Sequence, residues 1–496
     1  MKYLSYKILL AFALTALVYS ACDHDRLDLE PLGETEDNYF DEQIDFERAV
    51  IGIYAKLSDI YWYNGGSWSH DMWLLPGDDL TTIGDYAFET FGAIQPGNGD
   101  LNNYYRRAYQ LMARANVLLQ KIEEEDGAYT DADLKNYHKG EALFLRGYMF
   151  FQLWNFFGTP PIITERIQSS DAINPPGSEG NQMLDQAISD LQEAASLLPG
   201  TWESANSGRV TSHSANGMLG KALVFRADVT DASADYTAAI TAFNNISGRS
   251  LVANYDENFS VNHENNAESL FEFQATQPNF DNVWLDNDFD NAVGSTSAYW
   301  GFYDNNFSLF GAQRFIATQK MLDTYGPDDS RGQFFIDDEG NFLKYVVDDQ
   351  LSQSGVGSVN NPRILRYADV LLLKAEAILK SGGSKAEAIG LINQVRARAR
   401  NWGGGTEPAD RDAGVTDDNT IMQWIMDERL LELAGEDAHR WLDLRRWHMG
   451  GDINLGSFDF SSVKDNFNFN PEKHILFPIP TGEVDLNPII VQNPGY

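Results

Sequence analysis

Residues 366–399 read RYADVLLLKAEAILKSGGSKAEAIGLINQVRARA, and this stretch decides the fold. Ala368, Leu371, Ala375 and Leu379 recur every three or four positions, which is the signature of one buried helix face. Ser381-Gly382-Gly383 breaks the run, and Ile389, Ile392 and Val395 then repeat the same spacing. The spacing predicts two helices, over 366–380 and 384–399, lying face to face. Small alanines on the shared face allow close approach, which is how one unit of a helical repeat packs.

The same period recurs upstream. Leu101, Ala108, Leu111, Ala115, Leu118 and Ile122 predict one long helix. Leu134, Leu145, Tyr148 and Phe151 continue it after a break at 127–133, until Gly158, Pro160 and Pro161 stop the second helix. Further helices are expected over 182–198, 214–228 and 236–246, where Leu219, Gly220, Ala222, Ala227, Tyr236, Ala239 and Phe243 loosely echo a tetratricopeptide repeat. A final helical region is expected over 421–447.

Two stretches lack this texture. Residues 61–99 and 251–361 are rich in Asn, Asp, Gly, Ser and aromatics, with short strand-like runs such as 269–273. The fold class is therefore mostly α, a helix-pair scaffold with large loop-rich insertions and a few short strands. The expected division is a leader at 1–21, a tether at 22–40, and an N-terminal helical scaffold at 41–250. An irregular insertion at 251–361, C-terminal helix pairs at 362–449 and an extended Pro-rich tail at 450–496, packed on the scaffold, complete it.

The chain has 496 residues, with 36 basic against 73 acidic side chains and a net charge of −37. Such a field repels phosphate backbones, so nucleic-acid binding through a basic patch is excluded. Cys22 is the only cysteine, so no internal disulfide forms. Basic Lys2 and Lys7, an apolar run at 8–18 and the small pair Ser20-Ala21 precede it. That run suits a signal-peptide core and is too short to span a bilayer. A cysteine directly after such a site resembles a bacterial lipobox, with Tyr19 where leucine is usual. Cys22 is thus the expected lipid attachment point, and acidic residues after it read as a tether.

Four ordered segments carry a wider resemblance. They are GEALFLRGY at 140–148 running into FGTPP at 157–161, and RYADVLL at 366–372 with AEA at 375–377 and INQVRARA at 392–399. The third joins Glu428-Arg429, Glu432-Leu433 and Glu436 to RWLDLRRW at 440–447, and the fourth is FPIP at 477–480 with the QNPGY terminus at 492–496. Together they resemble the SusD/RagB family, although Glu436-Asp437-Ala438-His439-Arg440 is one residue longer than the family's usual Glu-Gly-x-Arg. The resemblance implies tetratricopeptide-like helix pairs, an outward-facing lipid anchor in the outer membrane, no catalysis, and a SusC-like TonB-dependent transporter as partner. By spacing alone, Glu436/Arg440, Trp441/Arg445 and Asp443/Arg446 fall where helix-face pairs form.

Sugars present flat C–H faces ringed by hydroxyls, so their sites combine exposed aromatic platforms with planar polar side chains. Two segments supply that mixture. One is YWYNGGSW at 61–68 with His70-Asp71-Met72-Trp73 and Asp78-Asp79. The other is NFDNVW at 279–284 with YWGFYDNN at 299–306. The candidate platforms are Trp68, Trp284 and Trp300, with Tyr299 and Tyr303 beside them. Trp154, Trp424, Trp441 and Trp447 lie on predicted helices and are expected in the core, whereas Trp202 and Trp402 adjoin turns and are left open.

No cofactor, metal or catalytic residue is assigned. His263-Glu264 lacks the second histidine of a zinc-hydrolase helix, and the eight histidines show no ligand spacing. Residues 286–290 alternate like a calcium loop without its glycine and terminal glutamate. The reading is a surface glycan-binding lipoprotein that delivers oligosaccharide or polysaccharide to the transporter. The alternatives are a repeat scaffold that binds protein or peptide, and a glycoside hydrolase using two of the many carboxylates.

Overall fold

The computed structural model describes residues 39–61, 69–82, 84, 86–169, 173–276, 315–345, 358–460 and 467–496. Its longer helices are α1 (Gln43–Lys56), α2 (Gly99–Glu124), α3 (Ala132–Phe157), α4 (Gln182–Leu197), α5 (Ser212–Thr230) and α6 (Ser233–Asn244). They continue with α7 (Tyr367–Lys380), α8 (Lys385–Gly403), α9 (Asp418–Leu433) and α10 (His439–Met449). Each of α1 to α8 packs on the next in order, and α9 closes on α7 and α8. The helix-pair array expected from the spacing is what forms.

Local chemistry sets the boundaries. The Asn98 carboxamide oxygen accepts from the amides of Asp100 and Leu101 at the start of α2, and Asp131 does the same for α3. Gly158, at φ 74°, ends α3. The apolar stripe of α2 is buried along its whole length, as is the shared face of α7 and α8. Gly220 faces the Phe243 ring so closely that a Cβ there would lie within 3 Å of it, so α5 and α6 meet through a glycine.

Helices α6 and α7 are neighbours in the array although more than 120 residues separate them. The irregular stretch is therefore an excursion inserted between adjacent helices. Two small antiparallel sheets tie it down. Strand β1 (Leu80–Thr82) pairs with β3 (Phe315–Ala317), with Leu80 opposite Ala317, and β2 (Ser269–Glu272) pairs with β4 (Arg363–Arg366), with Ser269 opposite Arg366.

A seam of buried charge fastens the excursion to the array. Glu428, Glu432 and Glu436 follow one another along and just beyond α9. Glu428 takes Arg331 at 2.7 Å and Arg396 at 2.8 Å. Glu432 takes Arg398 at 2.5 Å, Arg366 at 3.0 Å and Arg331 at 3.1 Å. Glu436 takes Lys344 at 2.5 Å and Arg366 at 2.7 Å. Burial alone would raise the Glu432 carboxyl, but its three arginines overcome that and hold it at about 2. On the opposite side, Arg429 binds Asp369 and Asp443, each at 2.7 Å, and Arg446 binds Glu376 at 2.6 Å and Asp228 at 2.5 Å.

Of the three expected helix-face pairs, Asp443/Arg446 forms, whereas Arg440 and Arg445 find partners other than Glu436 and Trp441. Asp443 and Arg446 do pair, at 2.9 Å. Glu436 and Arg440 do not, because the chain leaves the helix between them: Gly435, Asp437 and Ala438 all have positive φ. A Cβ at Gly435 would press into the Phe342 ring at 2.4 Å, so glycine is required there on two counts. Arg440 turns instead to Asp78. Arg445 lies over the Trp154 ring at 4.7 Å, with carbonyl and carboxamide partners, and burial pulls its pKa down to about 9. The final helical region is accordingly two helices.

Candidate functional site

The two aromatic segments lie some 200 residues apart in sequence, yet their flanks meet. Tyr61, the last described residue before the first segment, stacks on Phe273 with ring centres 5.4 Å apart and planes at 15°. Phe273 stands three residues before the described chain stops at Thr276. On the return side, His70 meets Phe315 edge-on at 6.3 Å, and β1 pairs with β3 immediately beyond. The Thr318 hydroxyl donates to the Asp78 carbonyl at 2.6 Å, and its amide donates to that of Asp79 at 2.9 Å. Both segments thus start and finish on one shared base.

The base is rigid and buried. The Tyr61 hydroxyl donates to Asp437 at 2.7 Å and lies 2.5 Å from the Tyr148 hydroxyl, which accepts from Gln152 at 2.8 Å. Trp73 packs on Tyr61 at 5.1 Å and meets Tyr104 edge-on at 6.0 Å. Aromatic pairs of this geometry contribute about 0.5–1.5 kcal/mol each beyond the area they bury.

Three carboxylates sit in this base, in different states. Burial would raise Asp78, but Arg440 and Lys320 outweigh it and hold the group at about 2. Burial pushes Asp79 up to about 6, with the amide of Gly435 pulling the other way and the Asp78 charge adding to the rise. Asp437 is also pushed up to about 6 by burial, against the hydroxyl bond from Tyr61. Their own burial, and after it the Asp437 charge, drive the phenols of Tyr61 and Tyr148 well above the usual range.

These facts correct part of the expected sugar-facing surface. Tyr61, His70, Asp71, Met72, Trp73, Asp78 and Asp79 are buried, so they support the loops and do not form their binding face. The apolar neighbours Leu74 and Leu75 were the available signal for Trp73. Trp68, Trp284, Tyr299, Trp300 and Tyr303 lie outside the described residues, as do Cys22 and residues 286–290. Trp154, Trp441 and Trp447 are core, while Trp424 is only half-buried, beneath Arg411 at 5.3 Å. Of the two left open, Trp402 packs edge-on with Phe334 at 5.2 Å and Tyr255 at 5.7 Å. Trp202 lines a polar cleft.

Glu264, beside His263, accepts the Asn361 amide at 2.9 Å, and burial raises it to about 7. Among the described residues, no group of three or more His, Cys, Asp or Glu side chains is placed to hold a metal ion. Among the same residues, no helix is long and apolar enough to cross a membrane.

The SusD family model matches residues 231–496, and a second, described as starch-binding associating with outer membrane, matches 32–223. SusD-like protein P2 of Formosa agariphila is 24% identical, over 99% of each chain. The crystal structure of a SusD homolog from Bacteroides thetaiotaomicron superposes with TM-score 0.77 at 22% identity, covering 93% of this chain and 99% of that one. Surface glycan-binding protein A from Bacteroides fluxus superposes with TM-score 0.73 at 20% identity, covering 92% and 99%. The helix-pair array, the excursion held between two of its neighbouring helices, and the family match over more than half the sequence place the conclusion beyond fold alone: this chain belongs to the SusD family.

Proposed function

We propose that the chain is a surface glycan-binding lipoprotein, without catalytic activity, that hands oligosaccharide or polysaccharide to a SusC-like TonB-dependent transporter. The observation that carries this reading is the shared base. Two segments rich in Trp, Tyr, Asn and Asp leave and rejoin the scaffold at adjacent points, joined by Tyr61 on Phe273 and by β1 on β3. Trp68 on one and Trp284, Tyr299, Trp300 and Tyr303 on the other can then contribute to one sugar surface. The starch-binding description of the second matching family model and the name of the Bacteroides fluxus structure support the same chemistry. In this reading the mature chain begins at Cys22, whose acylation anchors it in the outer membrane, with 22–40 as the tether. A shallow site that stacks a few rings gives modest affinity.

The test is a panel of oligosaccharides and polysaccharides, offered to soluble protein beginning at residue 23, with calorimetry for binding and product analysis for cleavage. Binding without turnover is expected. Trp284→Ala and Trp300→Ala should each weaken it by about 1–3 kcal/mol with unchanged melting behaviour. Silence across the panel, or saccharide cleavage, would overturn the reading.

A further inference from the structure

A cleft of ≈ 200 Å³ opens between the 201–209 loop, the start of α5 and strand β2. Its walls include Trp202, Ser207, Arg209, Arg249 and Glu272. Two of its charges are fully engaged, and a third, Glu203, is exposed at the cleft. Arg209 binds Glu141 through Nε at 2.7 Å and Nη2 at 2.5 Å, and reaches Glu47 at 2.6 Å. Glu272 accepts the Asn265 amide at 3.2 Å and the Asn361 carboxamide at 2.9 Å, with Arg363 at 3.4 Å.

Arg249 is different. Among the described residues its one side-chain hydrogen bond is a long one, 3.4 Å, from Nη1 to the Asn266 carbonyl, and it forms no ion pair. It is half-buried, and burial lowers its pKa, only partly offset by the Glu272 charge. Next to it, His213 feels the Arg249 charge and keeps its buried Nδ1 without a hydrogen-bond partner. With acids outnumbering bases 73 to 36, a guanidinium left without a carboxylate is not a matter of supply. Beside Arg249 the cleft carries two carboxylates, the engaged Glu272 and the exposed Glu203.

The wall opposite is pinned. The Trp202 indole donates to the Val210 carbonyl at 2.8 Å, Arg209 covers its ring at 4.3 Å, and Tyr137 meets it edge-on at 5.4 Å. A preformed wall costs little ordering on binding. The volume is below that of pockets for drug-sized ligands, which run from roughly 300 Å³ upward. One sugar ring is the right scale. Strand β2, which forms one wall of the cleft, is the last strand before the second aromatic segment in sequence.

We propose that this cleft is a further subsite for a single sugar residue bearing a carboxylate or sulfate group, with Arg249 as its anion partner. The proposal rests on the carbohydrate reading above and names a class of substrate for it. The planar guanidinium fork matches both anions in bidentate geometry. The negative field of the whole chain slows the approach of a polyanion, but it is screened beyond roughly 8–10 Å at physiological salt, so the local pairing decides.

The experiment uses 19F-tryptophan-labelled mature protein, with the Trp202 resonance assigned by W202F. It is titrated with oligogalacturonate, a sulfated galactan oligosaccharide and a neutral glucan. The expected result is a saturable shift of the Trp202 signal with at least one acidic ligand, at least tenfold weaker in Arg249→Gln and only partly restored in Arg249→Lys, which keeps the charge but not the fork. An unmoved Trp202 signal with both acidic ligands, or equal affinity in wild type and Arg249→Gln, would overturn the subsite. So would an equal shift from sodium sulfate alone. Neutral-glucan binding that depends on Trp284 would survive any of these results, which separates failure of the subsite from failure of the general reading.

Discussion

Two groups of arginines in this molecule have opposite surroundings. Along α9, Arg331, Arg366, Arg396, Arg398 and Arg429 are buried and each is matched to one or more carboxylates at 2.5–3.1 Å. In the 201–209 cleft, Arg249 is half-exposed and, among the described residues, matched to none. The first arrangement gives each of these arginines at least one carboxylate from within the protein. The second leaves a guanidinium without a carboxylate in the lining of a cleft of ≈ 200 Å³. Identical side-chain chemistry therefore serves cohesion in one region and, as proposed, recognition in the other. What distinguishes them is whether the protein supplies the anion.

Breaking the seam should give the largest effect. Glu432→Ala removes one carboxylate shared by Arg331, Arg366 and Arg398, leaving buried cations under-neutralised, and should cost about 3–5 kcal/mol in denaturant unfolding. A loss below ~1 kcal/mol would mean the seam is not what holds the excursion to the array. Next come the loop aromatics, where Trp284→Ala and Trp300→Ala should act on binding and leave stability alone.

A smaller effect sharpens the comparison at the base. Asp79 and Asp437 are raised to about 6 in the fold, above the unfolded value near 4. Their contribution to stability is present at low pH and lost as pH rises through 6. Each group should therefore add about 1 kcal/mol of stability between pH 7 and pH 5. Asp437→Asn should flatten that part of the profile, and a profile identical to wild type would count against the buried, protonatable carboxyl. The smallest effect is expected at Lys385 and Asp418, an exposed pair at 2.7 Å, where Lys385→Ala should change unfolding by under ~0.5 kcal/mol.

Helix-scale features were readable in advance because they are local. The stripe from Leu101 to Ile122, the Gly158 stop and the glycine hinge after Lys380 each express a spacing or a backbone preference within one turn or two. The excursion was readable as a change of texture at 251–361, though not its position between neighbouring helices α6 and α7. Within 61–99, composition suggested a binding face where the structure buries Tyr61, Trp73 and Asp78. Polar and aromatic residues look alike in sequence whether they bind a ligand or brace the loop that does. The conspicuous arginine was missed for a related reason: Arg249 becomes notable only once the Glu272 carboxylate beside it is seen to be engaged elsewhere.

What the sequence determined by itself is the helical array, the family resemblance and the residue types at hand for sugar chemistry, since period, caps and motifs are properties of neighbouring residues. Tertiary structure alone decided the partnerships. It sent Glu436 to Arg366 and Lys344 and left Arg440 for Asp78, and it brought Tyr61 onto Phe273. Pairing energies fall steeply with distance, and distances between residues hundreds of positions apart exist only after the chain has packed.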